Sequence, residues 1–304
     1  MLMANFLRNR KSSREFRNKD LRENTLKDIK KSMESVLDEA SDVNLGFVLY
    51  EDGDRIAREL DGIGGYAGVM VKSPHYIGIE FKDSEDKTEI YGAYYTEKLL
   101  SLINDMGVDG CWLTMTHVDV EKRKEVLGES GGQIGYLLAI GYPPLRNPFE
   151  LLSEKITGHE GGDTYLSAMG KPEVKKEASR FASTSGSRLG IEKIVFKDSV
   201  ENPATVEDLD DMGLYDLFYY VRFAPSNRNL QPWRFLVEKN KVKLLMAHSE
   251  EAGYSLVDAG VIMYYFESMM KTGHYLGSKS TWELIDGEVE GSETKYRYIA
   301  EYNI

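Results

Sequence analysis

Cysteine is almost missing from this sequence of 304 residues, with Cys111 the only one. That excludes an intrachain disulfide and any thiolate-rich metal site. Cys111 itself, beside Trp112, reads as a core residue rather than a nucleophile. Histidine is scarce as well. His75, His117, His159, His248 and His274 form no i, i+4 pair and have no carboxylate at ligand spacing, so no metal centre is expected. Long apolar runs are lacking, the strongest (residues 135–140) being strand-sized, which excludes a helical membrane span. No signal peptide is expected, because Arg8, Arg10, Lys11 and Arg14 crowd the place of an apolar region, and the cytoplasm is the default compartment. Positive charge is in deficit, with 38 Lys and Arg against 50 Asp and Glu and a formal net charge of −12. Such a surface repels nucleic-acid phosphates and anionic membranes, leaving small molecules as the expected partners. No Gly-x-Ser-x-Gly elbow or Walker loop occurs, and DGIGGYAG at 61–68 neither follows a clear strand nor opens a helix.

What is present is one order of elements, written twice. Helical spacing over 21–39 leads to strands at 46–50 and 76–81 and a buried helix at 89–106 that stops at Gly107. Cys111-Trp112-Leu113, a charged helical turn at 120–127 and a strong strand at 133–142 follow. The second part runs helix 206–223, strands 233–237 and 242–247, buried helix 256–271, Trp282 and a last strand at 296–302. Residues agree too: DSEDKTEIYGAYYTEKLLSLINDMG from Asp83 resembles HSEEAGYSLVDAGVIMYYFESMMKTG from His248, each followed by a tryptophan, Trp112 or Trp282. We therefore expect an internal duplication. The expected organisation is an arm at 1–20, a first half at 21–154, a polar linker or lid at 155–187 and a second half at 188–304. The fold class is α+β, each half an antiparallel-rich sheet with covering helices.

Two segments carry chemistry. RKSSREF at 10–16 alternates cations around hydroxyls in an extended arm, offering guanidinium forks to a phosphate, with Phe16 to pin the arm. APSNRNLQPW at 224–233 lies between a helix and a strand. Its prolines stiffen a loop whose Ser226, Asn227, Asn229 and Gln231 present amides and a hydroxyl in a fixed frame. An ordinary turn also uses Asn and Ser. Carboxamide residues bracketed by prolines before a tryptophan favour a reader of a planar heterocycle.

These segments resemble the FMN-dependent nitroreductase family. RKSSREF is similar to its N-terminal arm, APSNRNLQPWRFLV to its most recognisable loop, and DMGVDGCWLTMT with GYLLAIGYP to the segment beside the flavin ring. In that family arm and loop lie close in one subunit, and a homodimer joins the arm of one copy to the loop of the other. Here the arm opens the first half and the intact loop lies in the second. The loop counterpart in the first half, ASDVNLGF from Ala40, keeps Asn44 but lacks the prolines and the glutamine. The chain thus resembles a tandem, single-chain pseudo-dimer branch with one complete site.

The resemblance implies FMN as cofactor and NAD(P)H as co-substrate. Arg10, Lys11 and Ser12 would hold the phosphate, and Arg14 would face N1 and O2 of the ring. Pro225, Ser226, Asn227 and Asn229 would line the ring, with Gln231 bracing the loop. Arg188 resembles a family arginine that reaches the phosphate, with Arg146 in PPLRNP its competitor. Thr114 and Met115 fall where backbone donors stand beside N5, Met115 replacing a common glycine. The implied activity is hydride transfer from NAD(P)H through flavin to a nitroaromatic, quinone or similar acceptor, the flavin carrying the chemistry so that no catalytic side chain is named. The alternative is a non-catalytic FMN binder on the same scaffold. The pseudo-dimer could stand as a monomer or assemble into a higher homo-oligomer.

Overall fold

A computed structural model describes residues 12–66, 68–145, 188–250, 253–272, 280–291 and 294–304. Arg10, Lys11, Arg146 and the expected linker at 155–187 lie outside the described residues.

The first element is α1 (Glu23–Glu39), with Ile29, Met33 and Val36 buried along one stripe. Its approach is fixed by Leu21, buried, whose N–H donates to His75 Nε2 at 3.0 Å. Next come β1 (Leu45–Tyr50), α2 (Gly53–Leu60), β2 (His75–Phe81) and α3 (Asp86–Asp105). β3 (Asp109–Thr114), α4 (Val120–Leu127) and β4 (Ile134–Gly141) complete an antiparallel sheet ordered β1-β2-β4-β3.

The second part begins with α5 (Ile191–Ile194) and β5 (Val195–Lys197), then α6 (Val206–Asp211) and α7 (Tyr215–Val221). The helix expected over 206–223 is thus two. Gly213 at φ 68° closes α6, its N–H donating to Asp210 O and the Leu214 N–H to Leu209 O, a C-terminal turn that glycine adopts without a Cβ clash. The rest is β6 (Trp233–Glu238), β7 (Lys241–Ala247), α8 (Leu256–Met270), β8 (Glu283–Leu284), β9 (Glu288–Glu290) and β10 (Lys295–Asn303). These strands order as β5-β6-β7-β10-β8, with β9 on β10 and the β5–β6 pair parallel.

The run β6-β7-β10-β8 repeats β1-β2-β4-β3, and α3 and α8 occupy matching places between their strands. These two helices pack on each other at the centre of the molecule. The approach is close: a Cβ on Gly260 would stand 1.9 Å from Ile90 O and 2.9 Å from the Ala93 methyl. Along the same seam the fully buried Glu97 accepts from Trp112 Nε1 at 2.6 Å and from the Tyr265 hydroxyl at 2.5 Å. Tyr91 OH donates to Trp282 O at 3.0 Å. Both repeated tryptophans therefore serve the seam between the two parts, packing and hydrogen bonding together.

Candidate functional site

The arm enters along the outer strand of the first sheet. Ser13 N–H donates to Gly110 O at 3.3 Å and its hydroxyl to Asp109 at 2.5 Å. Arg17 binds Tyr142 O and Pro143 O. Between these anchors Phe16 lies on Gly141, its ring atoms 3.0 Å from where a Cβ would be, so glycine makes the seat for the ring. Ser12 is half-buried and Arg14 exposed.

At the other end of β3, Thr114 is half-buried and Met115 fully buried. The Met115 N–H donates to Gly135 O at 2.8 Å, so that donor already serves the sheet end. Thr114 O accepts the Gly65 N–H at 3.1 Å. This bond brings the glycine-rich turn after α2, set aside in the sequence as a phosphate loop, against the site. Its Tyr66 is half-buried. Burial raises the Tyr66 pKa, while Arg228 and Arg14 pull it down. One phenol thus senses a cation of the arm and a cation of the loop in the second part.

The loop after α7 carries three side-chain-bearing residues in left-handed conformations, Arg228, Asn229 and Gln231, at φ 51°, 55° and 50°. Each costs roughly 1 kcal/mol, so the surroundings must hold them. They do. Gln231, buried, donates its N–H to Ser226 Oγ (2.9 Å) and its Nε2 to Asn229 O (3.1 Å), while its Oε1 accepts Leu189 N–H (2.9 Å). Arg188 donates to Ala224 O (3.0 Å), Phe223 O (3.0 Å) and Asn229 Oδ1 (2.8 Å). Arg188 and Gln231 are both braces of the loop in this geometry. Asn227 and Arg228 stand exposed at its tip, with Pro225 and Ser226 half-buried below.

Beneath the tip lies Asp258 in the first turn of α8, a residue the sequence reading passed over. Ser255-x-x-Asp258 reads as a helix-start pattern, and Ser255 does cap α8. The carboxylate, however, reaches the loop: Oδ1 accepts the Asn227 N–H at 2.9 Å. Tyr136 on β4 is held protonated by burial and by the nearby charges of Glu89 and Asp258. The first sheet and the start of α8 therefore meet at this point.

The matching place on the other side of the seam differs. Asn44 is tied to Asp83 at 2.5 Å, and Lys87 to Asp42 at 2.8 Å. Between Asp86, Ile90 and Leu284, Arg297 pairs with Asp86 (2.6 Å) and Asp286 (3.4 Å), closing the two parts over each other with charge. Among the described residues no group of three or more His, Cys, Asp or Glu could hold a metal, and no helix is long and apolar enough to cross a membrane.

The two sheets, their helical seam and the stiff loop define a nitroreductase-like fold. Residues 3–270 match the family model described as "Putative TM nitroreductase", and the chain belongs to that family. In solved structures it is similar to a "putative nitroreductase" of Thermotoga maritima, 14% identical, covering 98% of this chain and 94% of that one at a TM-score of 0.54. It is also similar to an FMN-dependent nitroreductase of Clostridium difficile (18% identity, 49% of this chain and 95% of that one, TM-score 0.39). A Bacteroides fragilis nitroreductase with bound FMN gives 14% identity, 48% and 92% coverage and a TM-score of 0.38. No curated protein matches the chain.

Proposed function

We propose that this chain is an FMN-dependent NAD(P)H oxidoreductase with one flavin site, shared between two duplicated halves that fold as a pseudo-dimer. The observation that carries the reading is electrostatic: the charges of Arg14, from one half, and Arg228, from the other, both lower the Tyr66 pKa against burial. The donor set suits a flavin. An exposed carboxamide (Asn227), a stiffened loop and cations at the rim surround the place where the halves join, and a buried carboxylate oxygen of Asp258 lies below without a partner. Bound FMN would supply two-electron transfer from NAD(P)H to a nitroaromatic, quinone or similar acceptor.

The residues of the chain do the rest. Arg10, Lys11 and Ser12 would bind the phosphate. Arg14 would stabilise negative charge at the pyrimidine edge, and Pro225, Ser226, Asn227 and Asn229 would orient the ring. Thr114 would wall the site, Met115 supporting it from the core. Arg188 and Gln231 would act by keeping the loop shaped. Arg14→Ala should weaken FMN binding and lower the flavin reduction potential, and an unchanged potential would remove Arg14 from this role. Steady-state NADH or NADPH oxidation with a quinone acceptor tests the activity. Turnover that depends on added FMN supports it, whereas tight FMN binding without turnover would make the protein a flavin-binding module.

A further inference from the structure

Asp258 is 4% exposed, and its two carboxylate oxygens have unequal surroundings. Oδ1 accepts the Asn227 N–H at 2.9 Å; Oδ2 is buried with no hydrogen-bond partner. A buried carboxylate oxygen without a donor is costly, and an apolar side chain in the first turn of α8 would avoid that cost. What the acid provides is a hold on the loop. Arg188 and Gln231 fix the two ends of the loop, Arg188 through the carbonyls of Phe223 and Ala224 at its start and through Asn229 after the tip, and Gln231 through Asn229 O. The Asn227 N–H bond to Asp258 ties its tip to α8, just ahead of the left-handed residues Arg228 and Asn229.

We propose that Asp258 is a positioning residue for the flavin site: its carboxylate, acting through the Asn227 N–H, sets the loop tip in the shape that presents Asn227 to the ligand. The inference rests on the flavin reading above. The charged form matters, because a carboxylate holds an N–H more strongly than a neutral acceptor does. Burial pushes the Asp258 carboxyl up to about 6, with the Asn227 N–H and Ser255 hydroxyl opposing. The charge of Asp258 reaches Tyr136 of β4, whose pKa is raised by burial and by the charges of Glu89 and Asp258, and Arg228 is the cation at the loop tip. The bond is thus charge-assisted at pH 7.5 and largely neutral at pH 5.

The test compares wild type, Asp258→Asn and Asp258→Ala by hydrogen exchange of the apo-protein and by FMN titration, each from pH 5 to 8. The near-isosteric Asn variant keeps an acceptor and the fold, and the Ala variant removes the acceptor. At pH 7.5 we expect amide exchange over residues 224–232 to rise roughly fivefold in Asp258→Asn and further in Asp258→Ala, with β6 and β7 unchanged. The FMN Kd should rise by about the same factor. Wild type should approach Asp258→Asn as the pH falls to 5. The FMN phosphate titrates in this range in every variant, so the difference between proteins is the signal. Equal loop exchange in all three proteins at pH 7.5, or an undiminished pH step in Asp258→Asn, would overturn the proposal. Wild type that takes up no FMN would instead remove the flavin reading, and the exchange comparison alone would decide the role of Asp258 in shaping the loop.

Discussion

Arg188, which the family resemblance would place at a phosphate, is bonded within the loop after α7. Its guanidinium reaches two backbone carbonyls and Asn229 Oδ1, all within the loop it would otherwise look past. Arg188→Ala should destabilise the protein by about 2 kcal/mol, read as a lower urea midpoint, and Arg188→Lys should recover little because the fork is lost. If Arg188 is a brace, riboflavin and FMN affinities fall together; a loss confined to FMN would return it to the phosphate. Asp258 gives a second residue-scale expectation. Burial raises its pKa in the folded protein to about 6, above the ordinary aspartate value of 3.8, so its protonated form favours folding. That contribution is full below about pH 4 and is lost as pH rises through 6. Relative to Asp258→Asn, wild type should lose roughly 2 kcal/mol of stability between pH 4 and 7, measured by denaturant titration at each pH. Such a cost at the site fits a residue kept for position rather than stability.

At the scale of elements, much could be read in advance because the signals are local. The buried helices and the strands before and after them follow apolar periodicity and end at turn residues, and α3, β2, β4, β7 and α8 stand within a few residues of their expected places. The helix over 206–223 was misjudged because its apolar spacing continues across Gly213, whose φ of 68° breaks it. The loop at 224–233 was legible for the opposite reason, since its prolines and amides make its shape a local property. Tyr66 and Asp258 were not legible. Each joins the site through a tertiary bond, Gly65 N–H to Thr114 O and Asn227 N–H to Asp258, that leaves no local pattern. The seam between α3 and α8 makes an element-scale prediction. Gly260→Ala would drive a Cβ to 1.9 Å from Ile90 O, a clash with backbone, and should cost about 3 kcal/mol or prevent folding. A variant as stable as wild type by thermal unfolding would show that the helices separate easily.

At the scale of the whole molecule, the repeated strand order gives two similar halves, and in the proposed reading their differences set one side apart for binding. On one side of the seam the arm, the turn around Tyr66 and the braced loop converge. On the other, Arg297 is paired with Asp86 and Asp286, and Asn44 with Asp83. At net charge −12, the cations of the arm and loop would be the local attraction for an anionic cofactor in the proposed reading. The central claim is a single shared site, and the most direct measurement is the number of FMN molecules held per chain after saturation and removal of excess, from the visible flavin absorbance. The account predicts one. Two would mean that the side closed by Arg297 still binds, and none at saturating FMN would contradict the flavin site itself.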